Sequence, residues 1–380
     1  MTGTLRRWVL AVTVAVFTNL ALFLAVLPVQ VSRMGGSRLQ VGEATAFFSA
    51  GTVACELLVA LLATRVSMAL LLAAGASLMG AGTFAYLLAA DSVPAMLVLT
   101  AVRGGAFGIN VVTGSYLVAA YAAPAERGRA LGIYGLAVSV PAIFGVSLGL
   151  LVQSAQGPQL LYVVGGLPAL LVGLGFAVFV LRRPPPPVTA PRFHPPALPT
   201  LLPVAAVIGL ITMTYGALVS FGPALVAGGG TAAAPLLFFV FGVLRAASRP
   251  VAGFAVDRAG ALLVSVISAL LVAGGCAVLA AWPRGAGLVG GAALFGSGLG
   301  AISNAGYVAM LERIEDSGHA LATATWSAAF DGGVMLGGAV FAVAAQAYGI
   351  GAVAVLLPVV GTLAWLTMTA DWARLRLAPG

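Results

Sequence analysis

The chain has 380 residues, 61% of them apolar and only 7% charged, with a mean hydropathy of +1.10. All 18 basic residues are arginine, against 10 acidic residues, for a formal net charge of +8. A nucleotide-binding P-loop needs a lysine to reach the phosphates and a Schiff base needs a lysine amine, so an ATP-driven pump built from this chain alone and retinal- or aldehyde-type chemistry are both excluded.

Apolar runs of about 20 residues recur from end to end and read as membrane-spanning helices. Twelve spans are predicted. Six lie at 8–30, 44–64, 68–89, 95–119, 130–152 and 159–181. Six more lie at 201–224, 234–254, 262–282, 286–310, 320–346 and 351–371. The first follows Arg6-Arg7, as a signal peptide would, but it runs to Leu27-Pro28 with no A-x-A cleavage pattern, so an uncleaved helix is expected. Between the sets, residues 182–200 open with Arg182-Arg183-Pro184-Pro185-Pro186-Pro187 and read as a stiff exposed linker. Halves at 1–181 and 201–380 are therefore expected, in an all-α membrane protein with two pseudo-symmetric six-helix bundles. Cys55 and Cys276 fall inside apolar runs and read as small core residues. The two histidines, His194 and His319, fall in predicted cytoplasmic loops, so no metal site, cofactor site or catalytic residue is expected.

Orientation follows from the arginines. With the N-terminus inside, the cytoplasmic segments hold Arg6, Arg7, Arg65, Arg127, Arg129, Arg182, Arg183, Arg192, Arg258, Arg313, Arg374 and Arg376, and the other side holds Arg33, Arg38 and Arg284. Both termini are expected in the cytoplasm of a bacterial cell, with the chain in the inner membrane. This bias also explains the positive charge without a nucleic-acid partner. A monomer is expected.

The two sets resemble each other. Arg65 and Arg258 stand 193 apart, Tyr116 and Tyr307 stand 191 apart, and Glu126-Arg127-Gly128-Arg129-Ala130-Leu131 lines up with Asp316-Ser317-Gly318-His319-Ala320-Leu321 at a spacing of 190. Near-constant spacing indicates a parallel repeat, and in carriers of that design the substrate site lies near mid-membrane between the halves.

After the eighth span the chain reads Gly253-Phe254-Ala255-Val256-Asp257-Arg258-Ala259-Gly260, with Arg249 one turn earlier. The fourth span holds Arg103-Gly104-Gly105-Ala106-Phe107-Gly108, and the fifth holds Pro141 and Gly145. The first of these resembles the G-x-x-x-D-R-x-G loop signature of the major facilitator superfamily, the second its arginine-glycine motif, and the third part of the glycine-proline motif of its drug-efflux members. The resemblance implies alternating access. It assigns Arg249, Gly253, Asp257, Arg258 and Gly260 to a gate: Gly253 lets helices approach closely and Asp257 favours a helix N-terminus. The first-half copy has Ala60, Thr64, Arg65 and Ser67 in the places of Gly253, Asp257, Arg258 and Gly260, and so lacks the acid. Val140 stands where the efflux motif has glycine.

An ionisable group in hydrocarbon costs roughly 2.5–3.5 kcal/mol on insertion scales, so charged residues within spans face a cavity or a partner. Asp331, mid-span and aligned at 190 with Pro141, and Glu56 are the candidates for proton coupling. The alternative is a structural charge pair, Asp331 with Arg245. Arg103 either lines the cavity or stabilises its helix, since arginine does not deprotonate. In this fold the first, fourth, seventh and tenth spans line the cavity, which makes Asn19, Arg103, Asn110, Thr113, Tyr116, Thr212, Tyr215, Asn304 and Tyr307 candidate substrate-binding residues, with Arg245 of the eighth span and Trp326 of the eleventh added to them. The same polar groups also serve helix packing, at about 0.6 kcal/mol each. The expected protein is a secondary carrier in the lipid bilayer, exporting a small amphipathic or apolar molecule by antiport of protons. An uptake symporter or facilitative carrier is the nearest alternative. A membrane-embedded enzyme is remote, because no H-E-x-x-H or Ser-His-Asp arrangement exists.

Overall fold

The computed structural model describes residues 2–62, 65–89, 91–121, 127–184, 198–314 and 319–377. The regular structure of these residues is helical. In chain order the helices are α1 (Thr2–Phe23), α2 (Val26–Arg33), α3 (Arg38–Leu62), α4 (Met68–Ala85), α5 (Val93–Tyr121), α6 (Arg127–Gln156), α7 (Pro158–Arg182), α8 (Leu198–Leu225), α9 (Ala233–Ala259), α10 (Ala261–Ala281), α11 (Gly285–Leu311), α12 (His319–Tyr348) and α13 (Ile350–Leu377). A 3-10 turn, Ala227–Gly229, precedes α9. Among the described residues, eleven segments are long and apolar enough to cross a membrane. The 25-residue α3 supplies the remaining predicted span.

The predicted first span is two helices. Pro28 has no N–H to offer the carbonyl of Leu24, and its ring crowds that same carbonyl, so the chain breaks at Leu24-Ala25 and restarts as α2. Helix ends run past the apolar cores where polar residues tolerate the interface. α1 includes Arg6 and Arg7, and α8 begins at Leu198 with Pro199 in its first turn. Most of the predicted linker, 185–197 with Arg192 and His194, lies outside the described residues.

The chain divides into two compact units. Unit 1 is Met1–Gly36 with Phe47–Pro191, and unit 2 is Ser37–Ala46 with Arg192–Gly380. The first turns of α3 thus group with the second unit. There Gly42 meets the carbonyl of Gly338, and Ser220 donates to Thr45 Oγ1 at 2.7 Å.

Each unit is pinned by glycine seams of one design. In unit 1, a Cβ at Gly104 or Gly108 of α5 would collide with the carbonyls of Phe48 and Thr52 of α3. In unit 2, Gly296 and Gly300 of α11 stand in the same relation to Phe241 and Arg245 of α9. A second pair repeats as well. Gly145 and Gly149 of α6 rest on Ala21 and Leu22 of α1, and Gly333 and Gly337 of α12 rest on Gly209 and Met213 of α8. Small residues let backbones approach where apolar lipid offers no hydrophobic drive for helix association. The tight links repeat too, with Gly157 (φ +82) joining α6 to α7 and Gly349 (φ +82) joining α12 to α13. The second seam sets the register of Asp331. Gly145 and Gly333 are 188 apart, so the counterpart of Asp331 is Ile143, not the Pro141 expected from the spacing of 190.

Candidate functional site

Unit 2 gathers its polar and aromatic candidates on four helices. The α9–α11 seam holds Phe241 and Arg245 one turn apart on the same face of α9. The α8–α12 seam sets Thr212 of α8 against Ala329 and Gly333 of α12, and Tyr215 of α8 and Phe330 of α12 both face Arg245. Thr212 Oγ1 donates to the Ile208 carbonyl at 2.9 Å and approaches that of Ala329 at 3.4 Å.

Arg245 lies among rings. Its Cζ stands 5.2 Å from the Tyr215 ring centroid and 5.8 Å from those of Phe241 and Phe330. Tyr215 stacks on Phe241 at 5.3 Å, Trp326 stacks on Phe330 at 5.3 Å, and Tyr307 meets Trp326 edge-on at 6.0 Å. Arg245 makes one long hydrogen bond, from Nη1 to the Tyr215 hydroxyl at 3.5 Å, and its buried Nε has no acceptor. The Trp326 indole N–H also lacks an acceptor. Among the described residues the ion pair is Arg313 with Asp371, and Asp331 forms none. The structural Asp331–Arg245 pair considered from the sequence is thus not formed: Arg245 is engaged by aromatic faces. Arg245, Asn304, Tyr307, Trp326, Phe330 and Asp331 are half-buried, whereas Thr212 and Tyr215 are buried.

Unit 1 treats its arginine differently. Arg103 is 1% exposed, yet no carboxylate lies within ion-pair distance among the described residues. Its Nη2 donates to Asn19 Oδ1 at 2.5 Å, its Nη1 to the Tyr86 hydroxyl at 3.0 Å and its Nε to Thr83 Oγ1 at 3.0 Å. Asn19 Nδ2 in turn donates to Thr83 Oγ1 at 2.9 Å and to the Gly165 carbonyl at 2.8 Å. The guanidinium packs on the rings of Phe23 at 4.9 Å and Tyr86 at 5.1 Å. Neutral acceptors and ring faces offset the loss of hydration. Asn19, a candidate for the cavity wall, and Arg103, a candidate for the wall or for stabilising its helix, are brought together in one buried hydrogen-bonded junction. Asn110 and Thr113 of α5 are also buried and donate to their own helix, to the carbonyls of Ala106 at 2.7 Å and Ile109 at 2.6 Å. Tyr116 is half-buried against the unit 1 core, and Glu56 is half-buried on α3.

The loop signature lies at the end of α9. Asp257, Arg258 and Gly260 are exposed, and Arg258 folds back over the Phe254 ring at 5.2 Å. Gly260, at φ +84, makes the sharp turn into α10, which accounts for the last glycine of the pattern. Gly253 is not at a close helix crossing here, for a Cβ would meet only Asn304 Nδ2, at 3.4 Å. Asn304 also donates to the Arg249 carbonyl at 3.2 Å. In the first-half copy, Ser67 caps α4 by accepting from the Leu70 N–H at 3.3 Å, so the residue in Gly260's place has a local structural use.

Sequence reasoning did not find Phe241, Phe330, Thr83, Tyr86 or the Arg313–Asp371 pair. Phe241 precedes Arg245 by four residues, and Thr83 precedes Tyr86 by three. That helical spacing is the available signal.

A multi-pass helical membrane protein with repeated six-helix halves and polar groups inside each half has the build of a secondary carrier. The family model of the Major Facilitator Superfamily matches residues 9–319, and the chain belongs to that superfamily of transporters. No curated protein matches the sequence. Among solved structures, the chain is similar to the nucleoside transporter NupG at 13% identity, covering 97% of this chain and 99% of that one, with a TM-score of 0.75. It is similar to a bacterial homolog of the human lysosomal transporter Spinster, inward-facing and unoccupied, at 15% identity, 97% of both chains and a TM-score of 0.72. It is similar to an auto-inhibited POT family peptide transporter at 13% identity, 99% and 98% coverage and a TM-score of 0.76. At these identities the likeness is one of fold.

Proposed function

We propose that the protein is a proton-coupled secondary carrier of a small organic solute, with Asp331 as the proton-carrying group and the half-buried cluster of α8, α9, α11 and α12 as the solute site. One observation carries this reading: a carboxylate twelve residues into α12 has no ion-pair partner among the described residues, and the residue before it, Phe330, packs its ring against Arg245. An acid with a permanent counter-ion has no reason to change protonation during a transport cycle, whereas one without can change with its surroundings. Alternating access follows from the superfamily. The segment from Arg249 to Gly260 is its gate on the cytoplasmic side, where the arginine bias also puts both termini. Glu56 is the second candidate for coupling.

The test uses purified protein in liposomes with an imposed pH gradient. Asp331→Asn copies the protonated acid. It should abolish gradient-driven accumulation while leaving exchange of solute for solute, and it should leave thermal stability nearly unchanged. Full gradient-driven transport by a stable Asp331→Asn protein would remove Asp331 from the coupling role. The sequence leads to export by antiport as the expectation, with an uptake symporter as the nearest alternative.

A further inference from the structure

Arg245 is a cation with no matching anion. It contacts three rings, its one hydrogen bond is long, and neither its Nε nor the nearby Trp326 indole N–H has an acceptor. Arg103 is the internal control, for the same guanidinium in unit 1 has acceptors on Nε, Nη1 and Nη2. Arginine buried without acceptors costs free energy unless something completes the set. Here the missing group is an acceptor, and the residue is half-buried, not sealed.

We propose that unit 2 binds an organic monoanion, a carboxylate on a flat apolar body, with its charge on Arg245 and its body against Tyr215, Phe241, Trp326 and Phe330. A carboxylate fits because its two oxygens match two guanidinium N–H groups side by side. A flat body fits because the surrounding rings stack it edge-on or offset. A dianion such as a phosphate ester fits poorly, since the walls are aromatic and aliphatic. The proposal rests on Asp331 as the proton carrier only for its coupling. An ionised Asp331 repels the anion, and a protonated one does not, so proton and anion bind together and move the same way. The other ionisable groups on the helices around α12 are Arg245, Arg249, Asp257 and Arg258 of α9, Tyr215 of α8, Tyr307 of α11, Asp371 and two arginines of α13, and Arg38 and Glu43 in the first turns of α3; Asp257 is exposed three turns beyond Arg245, Glu43 lies toward the Gly338 end of α12, and Asp371 is held by Arg313. None of these is an acid that would replace Asp331 in repelling the anion.

The experiment measures binding of benzoate, benzamide and benzyltrimethylammonium to the purified full-length chain in detergent, at pH 6 and pH 8, by thermal shift and by calorimetry. Benzoate should bind, and the neutral and cationic analogues should bind at least tenfold more weakly. Arg245→Gln should lose benzoate by tenfold or more with its unfolding temperature kept, and Arg245→Lys should recover part of the loss. Wild-type protein should bind benzoate about tenfold tighter at pH 6 than at pH 8, while Asp331→Asn should bind tightly at both. If benzamide binds as well as benzoate, or Arg245→Gln binds benzoate normally, the substrate class is overturned. If binding depends on Arg245 but not on pH, the anion site stands and the proton-carrier reading of Asp331 fails.

Discussion

Unit 1 closes its arginine inside a polar cage, and unit 2 leaves its arginine against rings and short of acceptors. The helices that hold them are built alike. Gly104 and Gly108 meet the carbonyls of Phe48 and Thr52, and Gly296 and Gly300 meet those of Phe241 and Arg245. In this shared register the residue matching Arg245 is Thr52, whose hydroxyl donates across the seam to the Gly104 carbonyl at 3.1 Å. The residue matching Arg103 is Phe295, fully buried against Phe241 at 5.6 Å. The repeat has kept the seam and placed one cation in each half on opposite partners of it. Close packing belongs to the scaffold, and the arginines belong to what each half does with it.

The sharpest way to break this contrast is to remove each cation. Arg103→Met leaves Asn19 Oδ1 without its donor and a poorly filled space beside Phe23. It should cost about 2–5 kcal/mol, seen as a large fall in unfolding temperature and poor yield. Arg245→Met removes a guanidinium with one weak hydrogen bond and offers a flexible apolar chain to the same rings. Its cost should stay within about 1 kcal/mol. Comparable losses in the two variants would mean that Arg245 is as structural as Arg103.

A smaller effect tests the seam. Gly104→Ala and Gly296→Ala each drive a methyl into a backbone carbonyl, and backbone cannot yield as a side-chain tip can. Each should cost about 1–3 kcal/mol, with Gly104 the worse because its clash with Phe48 is the tighter of the two. Gly274→Ala, where nothing lies within 4 Å, should be neutral or slightly stabilising and serves as the reference. Thermal unfolding of the three in one detergent decides it. If Gly296→Ala behaves like Gly274→Ala, the two seams are not equivalent.

Much of the fold was legible because hydropathy and glycine punctuation report on backbone needs that do not depend on partners. The spans and the repeat belong here. The break at Leu24-Ala25 was also readable, since Pro28 dictates it four residues upstream. The site was less legible because a polar residue in a span looks the same whether it lines a cavity or closes a junction. The sequence leaves Arg103 open between a wall and a helix-stabilising role and puts Asn19 on a wall, and only their mutual geometry with Thr83 and Tyr86 shows a cage. Phe241 and Phe330 were passed over because phenylalanine in a membrane helix is ordinary until an arginine lies over it. Register failed by half a turn at Asp331, because a spacing averaged over half the chain does not follow local differences in helix length.

The smallest expected effect sharpens the contrast from the gate. Gly253 is a glycine without a seam, since a methyl there would meet only Asn304 Nδ2 at an ordinary 3.4 Å. In the conformation described, Gly253→Ala should therefore gain about 0.5–1 kcal/mol from helix propensity alone, unlike the losses at Gly104 and Gly296. The gate reading says that another conformation of the cycle brings a second helix against this face. There the methyl would resist approach, and the initial transport rate should fall severalfold although the protein is more stable. Asp257→Asn should do the same with no change in stability, because the carboxylate is exposed and outside any ion pair among the described residues. Unfolding temperature and initial rate measured on both variants separate the outcomes. A rise in stability with an unaltered rate would show that the Gly253–Gly260 segment only turns the chain, as Ser67 does at the start of α4 in the first half.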